Sequence, residues 1–172
     1  MAHDLFIEKL KNAFSYDPEA GVVIRKIRLA NRNKEGEEVG GIHKGHGYLV
    51  TRCFGKAMLV HRIAWAITYG KFPDGEIDHI NGVRHDNRLN NLRDVPRRMN
   101  QLNQHGPRKD NSSGVLGVSY HKQIGKFQAY INESGQRKYL GCFSILSDAI
   151  KVRDTALKQI WERYKEEQEN AA

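Results

Sequence analysis

A chain of 172 residues with 39% apolar content can build small cores but not one large one. Its 28 Lys and Arg outweigh 20 Asp and Glu, and the formal charge of +8 favours a polyanionic partner whose counterions are released on binding. Two distant cysteines, Cys53 and Cys142, exclude a disulfide framework and a four-cysteine zinc site, and no apolar run approaches the roughly 20 residues of a membrane span.

With no basic region and apolar stretch at the N-terminus, the expectation is a soluble, intracellular protein with reduced thiols. Leu5, Phe6, Ile7, Leu10 and Phe14 recur at helical spacing after Asp4, a candidate N-cap, and the Asp17-Pro18 turn should end that helix. From Gly21 to Val60 the pattern shifts to short β-rich runs, Val22 to Ile24, Tyr48 to Val50 and Met58 to Val60, separated by glycine turns; they predict one antiparallel leader sheet. Ile63, Ala64, Ala66 and Ile67 then suggest a helix ending at Gly70.

The polar segment between Asp74 and Leu102 is too regular for a linker. Glu76 to His79 predicts a strand, Asn81-Gly82 a turn, Leu89 to Arg93 a second strand and Arg97 to Asn103 a helix, together a compact β-β-α unit. The stretch Gln104 to Gly114 has linker composition. After it, Val115 to Tyr120, Lys126 to Ile131 and Lys138 to Phe143 alternate as half-buried strands do, with turns near Gly125 and Ser134-Gly135. A final helix carries Leu146, Ala149, Ile150, Val152, Ala156, Leu157, Ile160 and Trp161 mainly on one face, which should cover one side of the sheet and leave the other to solvent or a ligand. The expected fold class is α+β, with residues 1–103 as one domain (leader 1–60, core 61–103), 104–113 as linker, and 114–172 as a three-stranded sheet on one helix.

Asp78-His79, Asn91 and Asn100 carry the chemistry. A hard cation such as Mg²⁺ takes carboxylate, amide and phosphate oxygens, and hydrolysis needs a base titrating near neutrality. Asp78 and Asn100 offer the oxygens, and His79 the base. Adjacent strand residues point to opposite faces, so the chain is expected to leave regular geometry at Asp78-His79, helped by the Asn81-Gly82 turn. Asn91 either pins the intervening loop through its amide or is an ordinary turn residue.

Four runs, Val60-His61-Arg62-Ile63-Ala64-Trp65, Ile77-Asp78-His79-Ile80-Asn81-Gly82, Asp86-Asn87-Arg88-Leu89-Asn90-Asn91-Leu92-Arg93 and Asn100-Gln101-Leu102-Asn103, closely resemble the HNH endonucleases of phages and their introns. The resemblance implies a ββα-metal homing nuclease with His79 as base, Asp78 and Asn100 as ligands of Mg²⁺ or Mn²⁺, and Asn91 fixing the loop. It implies hydrolysis of a DNA phosphodiester by activated water, leaving 5′-phosphate ends, in the cytoplasm of a phage-infected bacterium. The paired cysteines of the zinc-stabilised branch are missing, so zinc is not expected, and the leader sheet and the Trp65 helix must give that support. Arg62 and Arg93 are candidate phosphate clamps; His61 is a second active-site group or a structural one.

Asn111 to Tyr120, Gly125 to Ile131, Lys138 to Phe143 and the helix through Trp161 resemble the DNA-binding domain of plant ethylene-response factors, which implies a sheet laid in the major groove of double-stranded DNA. Ser119, His121, Lys122, Lys126, Gln128, Tyr130, Arg137 and Tyr139 are then the contact candidates on the sheet's outward side. The plant proteins carry several Arg and Trp where this chain has Ser119, Gln123 and Asn132, so their base-reading code does not transfer. Two functions follow: a monomeric site-recognising DNA endonuclease that nicks or cuts both strands, or a DNA-binding accessory or regulatory protein in which the nuclease fold is inactive. RNA cleavage is a third reading, disfavoured because a strand layer suits the DNA major groove better.

Overall fold

The structure, a computed structural model, describes residues 2–102, 106–107 and 109–170. The chain divides into two compact units, Met1–Asn103 and Gln104–Ala172. The architecture is α+β, with several small antiparallel sheets and a long C-terminal helix.

In the first unit, helix α1 (Ala2–Ala13) places Asp4 inside its first turn rather than at its cap. Phe14, expected on the helix, opens strand β1 (Phe14–Asp17), which forms a hairpin with β2 (Val22–Arg25). The turn is built by Asp17, whose Oδ1 accepts the N–H groups of Glu19 and Ala20, each at 3.0 Å, and closed by Gly21 at a φ of 73°. Strands β3 (Gly41–Ile42), β4 (Leu49–Cys53) and β5 (Lys56–Leu59) form a second sheet in that order.

The single leader sheet expected from sequence is therefore two. The segment after β2 folds back along it, with Val39 N–H donating to Val23 C=O at 2.8 Å and Arg25 N–H to Glu37 C=O at 3.0 Å, so the free edge of β2 is already used. Val60, read as the end of a strand, opens helix α2 (Val60–Tyr69), which stops where Gly70 turns left-handed at a φ of 68°. Leu10, Phe14, Val23, Val60 and Ile63, all at most 1% exposed, join α1, β1, β2 and α2 in one core.

Strand β6 (Glu76–His79) pairs antiparallel with β7 (Leu92–Val95), and helix α3 (Arg97–Leu102) follows, completing a ββα unit. The second strand begins three residues later than expected. Leu89–Asn91 form a single 3-10 turn instead, because Leu89 N–H donates to Pro18 C=O and Asn91 N–H to Arg88 C=O, each at 2.9 Å, rather than to a ladder. The expected last residue of α3, Asn103, lies outside the described residues, as do 104, 105 and 108 of the linker stretch. Trp65 of α2 packs with Ile77 and Leu92 as a separate small core under the two strands.

In the second unit, β8 (Val118–His121), β9 (Lys126–Glu133) and β10 (Gln136–Phe143) form a sheet of order β10-β9-β8, and α4 (Leu146–Glu169) packs on it. The first strand starts after Val115, because Asn111 Nδ2 donates to Val115 C=O at 3.1 Å and Ser113 Oγ to Val118 C=O at 2.7 Å, holding 111–117 as a turn. Val118, Ala129 and Ala149 are fully buried between sheet and helix, and the apolar residues predicted for the helix face are buried or half-buried, Ala149 and Ile160 most deeply. Among the described residues no helix is long and apolar enough to cross a membrane.

Candidate active site

The β6–β7 ladder is unbroken through Asp78↔Arg93 and His79↔Leu92, so the departure from strand geometry expected at Asp78-His79 is absent. Alternation instead sends Glu76 and Asp78 to one face of β6, and Ile77 and His79 to the other. Regular pairing is preserved because each face offers its own partners.

On the first face, Asp78, 4% exposed, is gripped by its cross-strand neighbour: Arg93 Nε donates to Oδ2 at 2.7 Å and Nη2 lies 2.6 Å away. Asn100, on α3, donates its Nδ2 to Glu76 Oε2 at 2.7 Å, leaving Oδ1 as the amide's acceptor, and Arg97 Nε approaches Glu76 Oε1 at 3.9 Å. Asp78, Glu76 and Asn100 Oδ1 are hard oxygen donors of the kind Mg²⁺ or Mn²⁺ takes, and the guanidinium on Asp78 shows a buried carboxylate already held by a cation. The donors are of the chemical type a divalent ion takes, with Asp78 Oδ2 engaged by Arg93 and Glu76 Oε2 by Asn100 Nδ2. Among the described residues no group of three His, Cys, Asp or Glu is placed to hold a metal alone.

On the second face, His79, 3% exposed, brings its Nε2 to Asn87 Oδ1 at 3.1 Å. Its ring lies 5.1 Å from that of His61 and 5.5 Å from that of Tyr48, and His61 meets Tyr48 edge-on at 5.1 Å. Tyr48 is flanked in turn by His46 at 5.3 Å and by the Arg84 guanidinium at 5.4 Å, and Arg84 also donates to His46 C=O at 2.9 Å. Burial pushes the His61 pKa down to about 3, with neighbouring His79 and Arg62 adding to it. Burial also holds His79 below the usual histidine range, against the bond to Asn87 and the charges of Asp78 and Asp86, which act upward. The imidazole is therefore neutral near pH 7.

The loop between the two strands is pinned from within. Asn91 Oδ1 accepts Asn81 N–H at 2.9 Å and its Nδ2 donates to Asp86 C=O at 2.7 Å, so one amide spans the loop. Asp86 is paired with Arg88 at 2.6 Å and bonded by Asn81 Nδ2 at 2.7 Å; the Arg88 bonds hold its carboxyl well below the usual carboxylate range.

The structure thus brings His79 together with His61, Tyr48 and Asn87, and Asp78 with Arg93. Asn100 is seated beside Glu76, two residues along the same face from Asp78. Arg62, a candidate clamp, is half-buried with its guanidinium 5.8 Å from the Phe72 ring. In the second unit, the strand register aligns Ser119 with Gln128, His121 with Lys126, and Tyr139 with Tyr130 on the face away from α4, where Arg137 lies over the Tyr130 ring at 3.6 Å. Lys122 belongs to the turn after β8 rather than to that face, since the chain has already left the ladder there. Tyr48, Asn87 and Arg84 were not singled out from sequence; Asn87 alone had a signal, its place inside the Asp86–Arg93 run.

Residues 58–102 match the family model described as HNH endonuclease. The matched segment runs from Met58 in β5 through the ββα unit, so Asp78, His79, Asn91 and Asn100 all fall within it, and it supports a nuclease role for this part of the chain. A solved structure described as "DNA binding and cleavage by the HNH homing endonuclease I-HmuI" is 26% identical, covering 77% of this chain and 74% of that one, with a TM-score of 0.43. No curated protein matches.

Proposed function

We propose that the chain is a metal-dependent homing-type DNA endonuclease that hydrolyses phosphodiester bonds with His79 as general base. The observation that carries this reading is the bond from His79 to Asn87 inside the HNH-matched segment. An amide oxygen only accepts, so Nε2 keeps a proton and the ring's lone pair sits on Nδ1, which is buried; the ring is neutral, its pKa held low by burial, and the base role requires that DNA binding open Nδ1 to the attacking water. Asp78 and Asn100 Oδ1 would hold Mg²⁺ or Mn²⁺, and zinc has no part in this reading. The ion, when bound, would supply positive charge beside the scissile phosphate. Arg93 and Arg62 supply cationic side chains near the same unit as phosphate clamps.

The second unit is the DNA-gripping part in this proposal. Its outer sheet face, with Lys126, Gln128, Tyr130, Arg137 and Tyr139, resembles a major-groove reader, and Lys122 extends it from the turn. One chain carrying cutting and gripping parts acts as a monomer on double-stranded DNA, in the cytoplasm of a phage-infected bacterium. Purified protein with Mg²⁺ should nick or cut bacteriophage genomic DNA, whereas His79→Ala should bind it equally and lose about 10²- to 10⁴-fold in cleavage rate. Equal cleavage by the variant would remove His79 as base.

The ion pair on Asp78 favours one second reading, a DNA-binding accessory or regulatory protein without catalysis, since Arg93 already satisfies the carboxylate. Product that forms with Mg²⁺ and stops with a chelator excludes it.

A further inference from the structure

Asn87 is a hydrogen-bond partner of His79, through Oδ1 and Nε2 at 3.1 Å. Its side chain is 1% exposed, and its Nδ2 makes no hydrogen bond among the described residues, so the amide is anchored through Oδ1 on His79. The position of the group must therefore come from the backbone of the loop.

That backbone is held from a distant part of the sequence, the β1–β2 hairpin. Tyr16 Oη donates to Asn87 C=O at 2.7 Å across 71 residues of sequence. Leu89 N–H donates to Pro18 C=O at 2.9 Å. Gly21 leaves room for the same loop: a Cβ there would stand 2.5 Å from Arg88 N and 2.8 Å from Asn87 C. A side-chain hydrogen bond, a backbone hydrogen bond and a close backbone approach, all from residues 16–21, thus converge on 87–89. Burial pushes the Tyr16 hydroxyl pKa up to about 12, with the Asp17 charge adding, so it remains a proton donor throughout the neutral range.

We propose that Tyr16 is a positioning residue, which sets the tautomer and orientation of His79 by holding the Asn87 backbone where its amide oxygen meets Nε2. The inference rests on the reading of His79 as base. Tyr16→Phe deletes one oxygen and leaves the ring in place. A merely structural tyrosine would lower the melting temperature without altering the imidazole.

The test uses the full chain. In long-range ¹H–¹⁵N spectra at pH 7.5 without DNA, the wild type should show His79 protonated on Nε2, whereas Tyr16→Phe should show a mixture of the two tautomers. On supercoiled plasmid DNA with Mg²⁺, Tyr16→Phe should lose about tenfold in kcat with KM unchanged, and Gly21→Ala, which pushes the same loop from another residue, should show the same split. An unaltered Nε2 tautomer in Tyr16→Phe overturns the proposal, as does a loss confined to KM. If His79→Ala cleaves like the wild type, the reading of His79 as base fails instead, and the spectra still decide whether Tyr16 positions the ring.

Discussion

Acidification should destabilise the first unit through His61, and the structure sets the size of the effect. In the unfolded chain this imidazole titrates near 6.5, while in the folded one burial pushes it down to about 3. Between those values the unfolded state binds a proton that the folded state refuses. Stability from this group is therefore complete above pH 6.5 and declines as pH falls towards 3. From pH 7.5 to 5.5 the loss is about 1.4 kcal/mol. His79 and His46 are lowered in the same direction, so part of the slope remains when His61 is replaced.

Phe is the replacement that keeps the edge-on ring contacts to Tyr48 and His79 while removing the titration. Trp65 lies in the first unit and Trp161 in the second, so a Trp161→Phe background lets Trp65 fluorescence report urea unfolding of the first unit. Adding His61→Phe to that background should shrink the stability difference between pH 7.5 and 5.5 by about 1.4 kcal/mol. The same difference in both proteins would mean that His61 accepts its proton in the folded state, and the burial argument would be wrong.

Asn91→Ala removes both bonds that span the loop and leaves a backbone donor and acceptor to find other partners at a position 6% exposed; the unit should lose about 2 to 3 kcal/mol in urea unfolding. If Lys126 and Arg137 on the outer sheet face each neutralise a phosphate, the double alanine variant should flatten the slope of log affinity against log salt by about 0.9 per phosphate released, measured by fluorescence anisotropy on a duplex oligonucleotide. An unchanged slope would take that face out of DNA binding.

The residues of the ββα unit could be read from the chain because their signals are local. Gly70 ends α2 by its own left-handed backbone, and Asn91 spans a loop whose far side is only ten residues away. The position of a strand edge was not legible, since it depends on what else takes the donors. Leu89 N–H goes to Pro18, and so the predicted second strand begins late. The partner of His79 was hidden for the same reason, as Asn87 is placed by Tyr16, far earlier in the sequence. Alternation along β6 was the correct local rule at Asp78-His79, and the inferred irregularity was unnecessary because opposite faces each supply a partner.

That division of faces explains how a polar site sits within a folded core. A carboxylate as buried as Asp78 would cost several kcal/mol if left without a counter-charge, and Arg93 provides one from the neighbouring strand. Such a pair is held by charge. His79 meets an amide oxygen and two aromatic rings, and the charges of Asp78 and Asp86 also act on it. The fold thus ties the acidic face to a cationic partner and the imidazole face to an amide oxygen and two rings, on opposite sides of one strand.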